Sequence, residues 1–133
     1  MLRLLACVFV GSGLGGALRY LISVYMNRWI DACAAKGSVM ALFPWPTFMV
    51  NIVGCFLIGL IYGVAGSGSV NLSPEDKTFL TAGFCGGLTT FSTFSHENYL
   101  LFESHSFGIV AVYSIVSIIL GFGSAWLGHA IIK

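Results

Sequence analysis

Charged side chains are scarce in this chain of 133 residues. Asp, Glu, Lys and Arg make up 8% of the sequence, whereas 57% of it is hydrophobic. A soluble domain carries about 25% charged residues, because its surface must stay hydrated. The composition therefore excludes a soluble domain and predicts a membrane protein embedded in a lipid bilayer.

Basic clusters and paired cysteines are also missing. The net charge is +1 and no run of Lys or Arg occurs, so we expect no nucleic-acid partner. The cysteines stand far apart without a CxxC spacing, which argues against a cysteine metal site or a disulfide framework. They are Cys7, Cys33, Cys55 and Cys85.

Long apolar segments are present instead, and four of them reach the roughly 20 residues that a spanning helix needs. They cover about residues 4–26, 44–65, 74–102 and 107–132. Ser73 and Pro74 are typical of an N-cap and a first helical residue, and they mark the start of the third segment. The sequence predicts an all-α membrane protein in which residues 1–133 form one four-span domain.

Positive charges do not orient these spans. With four spans, Arg3, Lys77 and Lys133 lie on one side of the membrane and Arg28 and Lys36 on the other. The positive-inside rule gives no clear direction from so small a difference. We interpret the weak bias as dual topology, in which copies insert both ways and pair antiparallel. A weakly biased protein with one orientation is the alternative.

Small residues recur every four positions on one face of two predicted spans. Gly11 and Gly15 share a face of the first span, and Cys55, Gly59 and Gly63 share a face of the second. Such stripes allow membrane helices to approach closely. They predict a tightly packed helical bundle.

The third span contains an unusual segment, GFCGGLTTFSTFSHE, at residues 83–97. Gly86 and Gly87 predict a break in the helix there, because glycine is unfavourable in helix interiors. Non-helical backbone at membrane depth survives only inside protein or beside a wet cavity, so we expect a second copy to cover it. Carbonyls near Gly86 and Thr89 are suited to bind a cation.

Beyond the break, two aromatic rings and two hydroxyls alternate. Phe91 and Phe94 lie three apart on one helical face, beside a stripe of Ser92 and Ser95. Because an aromatic ring has a positive edge, such rings can stabilise a small anion. Alternatively, the rings are packing residues and the hydroxyls bond to backbone carbonyls one turn back.

Polar side chains on the other spans favour a functional reading of this segment. Thr47 and Asn51 are four apart on the second span, and Tyr113 and Ser117 repeat that spacing on the fourth. Arg19 is the one basic residue deep in a span, where ionisable groups are costly and are functional candidates. Snorkelling to the nearby interface is the alternative for Arg19.

Two ionisable residues follow the rings. His96 and Glu97 could form a relay, but both lie near the end of the predicted third span, where they could also meet lipid headgroups.

Three motifs resemble a known family. They are GLGGALRY at residues 13–20, FPWPTFMVNIVGCFLIG at 43–59 and GFCGGLTTFSTFSHE at 83–97. They closely resemble the small fluoride channel family known as CrcB or Fluc, and the resemblance covers all four spans. Pro46 departs from it, because that position is usually glycine in the family.

The resemblance implies a multi-pass inner-membrane protein that is not an enzyme. It implies an antiparallel dual-topology homodimer with two fluoride pores, through which cytoplasmic fluoride leaves passively. A sodium ion would lie between the copies on the carbonyls of Gly86 and Thr89. By their positions in the motifs, Asn51 would be the pore amide, and Phe91 and Phe94 would be the rings that contact the anion.

The remaining pore residues follow from the same resemblance and from the hydroxyls beside the rings. Thr47, Tyr113 and Ser117 would form a polar track that ends before Gly121, and Arg19 would make the vestibule positive. The full predicted set for the pore is Asn51, Phe91, Phe94, Thr47, Tyr113, Ser117, Ser92, Thr90, Arg19 and Glu97.

Two other functions compete with a channel. A proton-coupled exporter of the small multidrug type needs a central membrane carboxylate, yet the first, second and fourth spans contain no Asp or Glu. Glu97 is the remaining candidate, and it lies toward a predicted helix end. A membrane hydrolase would need His96 to be oriented by Glu97, but adjacent helical residues point about 100° apart.

Overall fold

The computed structural model describes residues 1–36, 38–68 and 70–132, and every regular element in those ranges is helical. Lys133, which entered the charge comparison above, lies outside them. The elements are α1 (Leu2–Cys33), α2 (Val39–Leu42), α3 (Trp45–Ser67), α4 (Pro74–Thr78), a π-helix (Phe79–Cys85), α5 (Gly86–Leu88), α6 (Phe91–Glu103) and α7 (Phe107–Ala130).

Three of these helices are long and apolar enough to cross a membrane. They are α1 with 32 residues, α3 with 23 and α7 with 24. The prediction of an all-α membrane protein is therefore confirmed. The helices match the predicted first, second and fourth spans closely, apart from the end of α1.

The end of α1 differs from the prediction. The first span was expected to end near residue 26, but α1 continues through residues 27–33 to Cys33. They contain no glycine or proline to stop a helix, and Ile30 is buried on their inner face. The hydropathy of a segment marks where lipid ends, and a helix can continue into water beyond that point.

The third predicted span is helical but interrupted. It starts as predicted, because the Ser73 hydroxyl accepts a hydrogen bond of 3.1 Å from the Asp76 N–H and Pro74 is the first helical residue. The helix then widens into the π-helix and ends with α5 at Leu88. Thr89 and Thr90 are extended, with ψ of 157° and 119°, and α6 starts afresh at Phe91.

The break begins at Thr89, the last residue of the stretch 86–89 in which it was expected, and not at the glycine pair. Gly86 has helical angles, φ −64° and ψ −35°, and the chain leaves the helix only at Thr89. A Cβ on Gly87 would collide with the backbone of Ser12 and Gly16 on α1. Gly87 therefore allows α1 to approach the helix closely, and the glycine pair does not bend the backbone there.

Glycines on α1 make the reciprocal contacts. A Cβ on Gly11 would lie 2.7 Å from the carbonyl oxygen of Phe79, and one on Gly15 would collide with that of Phe84. The first predicted small-residue stripe is thus confirmed as a surface for close helix packing. It holds α1 against the π-helix and α5.

The second small-residue stripe packs α3 against α7. A Cβ on Gly59 would collide with the Ala125 carbonyl, and one on Gly63 would lie 3.1 Å from the α7 backbone. The thiol of Cys55 lies beside Gly121. These contacts hold α3 and α7 together. The break at Thr89 and Thr90 lies beside this pair of helices.

Candidate functional site

Asn51 of α3 holds the backbone at the break. Its side-chain oxygen accepts a hydrogen bond of 2.8 Å from the Thr90 N–H, and its Nδ2 donates to the Thr90 carbonyl at 3.2 Å. The Thr90 hydroxyl accepts from the Thr93 N–H at 3.2 Å and so caps α6. The extended backbone at the break is thus bound by a side chain from a neighbouring helix.

Arg19 of α1 contacts the other side of the break. Its Nε donates a hydrogen bond of 3.1 Å to the carbonyl oxygen of Gly87, near the end of α5. Arg19 is half-buried. Its side chain therefore binds the interrupted helix and does more than reach the membrane surface.

The two predicted rings are neighbours, but their surroundings differ. The centroids of Phe91 and Phe94 are 5.9 Å apart with planes inclined by 32°. Phe94 also packs on Tyr113 at 4.9 Å. Phe91 is 80% exposed, so packing within one chain does not explain its position.

A cleft of about 310 Å³ opens beside these rings, between α3, α6 and α7. Ser117 is one of its lining residues, and the buried Ser117 hydroxyl has no hydrogen-bond partner in the described part of the chain. We call this site the ring cleft. Its lining consists of Asn51, Gly54, Cys55, Ile58, Thr89, Thr90, Phe91, Phe94, Ser117 and Ile118.

A second polar group lies one helical turn away. One carboxylate oxygen of Glu97 accepts a hydrogen bond of 2.7 Å from the Thr47 hydroxyl, and the other accepts one of 2.8 Å from the Tyr113 hydroxyl. Tyr113 is fully buried. We call Thr47, Glu97 and Tyr113 the carboxylate cluster.

The position of Glu97 corrects the idea that it meets headgroups at a helix end. Because α6 starts afresh at Phe91, Glu97 lies at the midpoint of that helix and packs toward α3 and α7. His96 is exposed, and its ring stacks on Tyr99 at 6.4 Å. His96 and Glu97 thus face different surroundings, and no relay links them in the described contacts.

Ser92 is also placed at the surface. It is exposed, and its hydroxyl lies 3.3 Å from that of Thr90. The Thr89 hydroxyl bonds to the backbone, which was the alternative to a role in binding an anion. It donates a hydrogen bond of 2.9 Å to the Cys85 carbonyl one turn back.

Sequence reasoning missed an aromatic group around the carboxylate cluster. The ring of Phe43 lies 5.2 Å from that of Tyr113, edge to face, and Phe48 and Trp45 pack on Phe43. The density of aromatic residues in FPWPTF was the available signal. Pro46 fits easily at the second residue of α3, since an N–H there has no partner within the helix.

Comparison with known proteins identifies the family. Residues 6–129 match the family model described as CrcB-like protein, Camphor Resistance (CrcB). The chain therefore belongs to the CrcB family, as the motifs indicated.

Three curated relatives, each named fluoride-specific ion channel FluC, agree with this. The Flavobacterium psychrophilum protein is 40% identical over 126 residues, covering 95% of this chain and 94% of the relative. The Bacteroides fragilis protein is 41% identical over 114 residues, covering 86% and 84%. The Beijerinckia indica protein is 42% identical over 124 residues, covering 91% and 89%.

The class of protein follows from the family and the helices together. These relatives are named as ion channels, which confirms the prediction that the chain is not an enzyme. With three apolar helices, the chain is a multi-pass inner-membrane protein. Nothing in the comparisons supports the exporter or the hydrolase.

Proposed function

We propose that this chain is a fluoride-selective channel through which cytoplasmic fluoride leaves down its gradient. The observation that carries the proposal is the ring cleft beside the helix break, which is lined by two phenylalanine rings and by Ser117, whose hydroxyl has no partner among the described residues. A narrow site selects an ion by replacing its hydration shell. The positive ring edges and a hydroxyl donor suit a small anion, without a full charge that would trap it.

A polar path joins the ring cleft to the carboxylate cluster. Thr47 and Asn51 are one turn apart on α3, and Tyr113 and Ser117 are one turn apart on α7, about 6 Å along each axis. Each pair has one member in each site. We assign Thr47, Tyr113 and Ser117 to a track that leads the anion toward Phe91 and Phe94, with Glu97 beside it.

The interrupted helix supports four spans and a dimer. The stretch from α4 to α5 and the 13 residues of α6 follow one another as one broken crossing. The break and the exposed Phe91 lie at the surface of the single chain, where lipid offers no polar partner. A second copy in antiparallel orientation would cover them and create two equivalent ring clefts.

The backbone at the break also fits a sodium ion between the copies. In an uninterrupted helix the Thr90 N–H would donate to the Gly86 carbonyl, but it donates to Asn51 instead. The Gly86 oxygen thereby loses its usual donor, and carbonyl oxygens of this kind hold alkali cations where membrane helices are broken. Gly86 and Thr89 from two copies would supply four such oxygens.

Fluoride release from proteoliposomes with the pH gradient collapsed tests the proposal. We expect release of fluoride that does not need a proton gradient and that is absent from protein-free vesicles. Release that appears only when a pH gradient is imposed would contradict a passive channel and indicate coupled export.

A further inference from the structure

A break in a helix leaves backbone N–H and C=O groups without their usual partners. Here side chains from α1 and α3 form hydrogen bonds with these groups. In an unbroken helix the N–H groups of Thr90 and Phe91 would donate to the carbonyls of Gly86 and Gly87. Instead, the Thr90 N–H donates to Asn51 at 2.8 Å, and the Gly87 carbonyl accepts from Arg19 at 3.1 Å. One side chain thus binds each side of the break.

Both polar atoms of the Asn51 amide serve this purpose. Its oxygen accepts from the N–H of Thr90, while its Nδ2 donates to the carbonyl of the same residue. A primary amide carries a donor and an acceptor on one carbon, so it can pair with a residue whose own two backbone groups point the same way. The backbone of Thr90 therefore engages the amide oxygen and one of the two Nδ2 hydrogens of Asn51.

Arg19 completes the other side. The Gly87 carbonyl is one of the last in α5, where helix carbonyls lack intrahelical partners and the dipole is negative. A guanidinium N–H satisfies both the hydrogen bond and the charge preference of a helix C-terminus. The bond is directional, because it involves Nε within the side chain and not a freely rotating terminal group.

We infer that Arg19 and Asn51 are positioning residues that clamp the break from its two sides and thereby set where Phe91 and Phe94 lie. The inference rests on the proposed function. Thr90 is the N-cap of α6, so the direction of the first turn, which carries both rings, follows from how Thr90 is held. Phe91 is 80% exposed and has little packing of its own to fix it.

Two substitutions of Arg19 separate the clamp from simple attraction of anions. In glutamine the Nε2 amide occupies the place of the arginine Nε, so Arg19→Gln keeps the donor and loses the charge. Arg19→Lys keeps the charge but puts a methylene at that place. The clamp predicts that Gln keeps more fluoride efflux than Lys, which should lose roughly tenfold or more; electrostatic attraction predicts the reverse order.

Asn51 allows a complementary change. Asn51→Asp keeps the acceptor for the Thr90 N–H but places a second oxygen against the Thr90 carbonyl, 3.2 Å away in the native pair. We expect efflux to fall at least roughly tenfold. Arg28→Lys, Arg28→Gln and Asn27→Asp, at exposed positions of α1, are the matched controls and should leave efflux unchanged.

The amide signal of Thr90 reports on the clamp without a measurement of transport. Thr89-Thr90 is the only Thr-Thr pair in the sequence, so protein labelled with carbonyl-13C and 15N threonine gives one correlated amide signal, that of Thr90. We expect this signal at its native position in Arg19→Gln and displaced in Arg19→Lys and Asn51→Asp.

The outcomes distinguish the clamp from the proposed function. If Arg19→Gln is no closer to the native protein than Arg19→Lys in signal position and efflux, the clamp is overturned. If Lys fails to fold while Gln folds with a native signal, the directional bond is supported. A native protein that releases no fluoride overturns the proposed function, yet the Thr90 signal still decides whether the clamp exists.

Discussion

The carboxylate cluster and the ring cleft lie one helical turn apart, but they differ in how completely the described chain satisfies their polar groups. In the carboxylate cluster each Glu97 oxygen has a partner and Tyr113 is fully buried. In the ring cleft the Ser117 hydroxyl has no partner among the residues described, and Phe91 is 80% exposed. The described chain therefore supplies partners for the whole of the first site, whereas the second keeps one hydroxyl without a partner among the described residues and one exposed ring.

This difference suggests that the carboxylate cluster contributes to the stability of the fold and the ring cleft to the selection of the ion. Buried hydrogen bonds to a charged group stabilise a fold when complete and are costly when one partner is removed. An open site with an unused donor adds little to stability but offers contacts to a ligand. Changes in the ring cleft should therefore affect transport most, and changes in the carboxylate cluster should also affect stability.

The largest expected effect is on transport through the ring cleft. Phe91→Ile with Phe94→Ile removes both positive ring edges, so fluoride efflux should fall more than roughly tenfold, the change that about 1.4 kcal/mol produces. Phe102→Ile with Phe107→Ile is the control, because those rings form an exposed pair 5.2 Å apart on the α6–α7 turn. Unchanged efflux in the first double variant would show that its rings only pack.

A change beside the break should also reduce efflux, by a smaller factor. A Cβ on Gly54 would collide with the Thr89 side chain, so Gly54→Ala should displace the break and lower fluoride efflux several-fold. Gly123→Ala is the control, since its Cβ would meet no described atom within 4 Å. Equal efflux in both variants would show that the break tolerates displacement.

The carboxylate cluster should respond in stability. Tyr113→Phe leaves one Glu97 oxygen without its donor and should lower the free energy of unfolding by about 1–3 kcal/mol, measured by denaturation in detergent. Tyr62→Phe is the control, because that ring is half exposed and keeps its contact with Lys77. If both variants unfold alike, the cluster does not stabilise the fold.

The smallest effect is expected at Pro46. Pro46→Gly introduces the residue usual in the family and frees the backbone of the unfolded chain, so stability should fall by about 0.4–1 kcal/mol. Fluoride efflux should stay unchanged, because Thr47 lies in the first turn of a helix that remains intact. A large loss of efflux would place Pro46 in the path itself.

The sequence predicted the positions of the helices along the chain well, but it predicted less well how the helices contact one another. Apolar length identified α1, α3 and α7, and the Ser73-Pro74 signal located the start of α4. The sequence did not locate the start of the break within the stretch 86–89, because Gly86 and Gly87 suggest flexibility as readily as close packing. The position of Ser12 on α1 shows that Gly87 serves close packing. Such long-range contacts leave no local pattern in the sequence.

The same limit applied to the candidate site. The spacing of four residues predicted that Thr47 and Asn51 share one face of α3 and that Tyr113 and Ser117 share one face of α7. Such a prediction is possible because helical periodicity is a local property. Glu97 was expected near a helix end, since its position depends on where α6 begins. Aromatic packing of Phe43 on Tyr113 joins residues far apart in the chain, and no periodicity reports it.

The most direct test of the account is fluoride and chloride efflux recorded together from vesicles that hold both ions and the unmodified protein. We expect fluoride to leave rapidly while chloride is retained, because the ring edges and the Ser117 hydroxyl replace the hydration of a small anion only. Equal efflux of the two ions would contradict it.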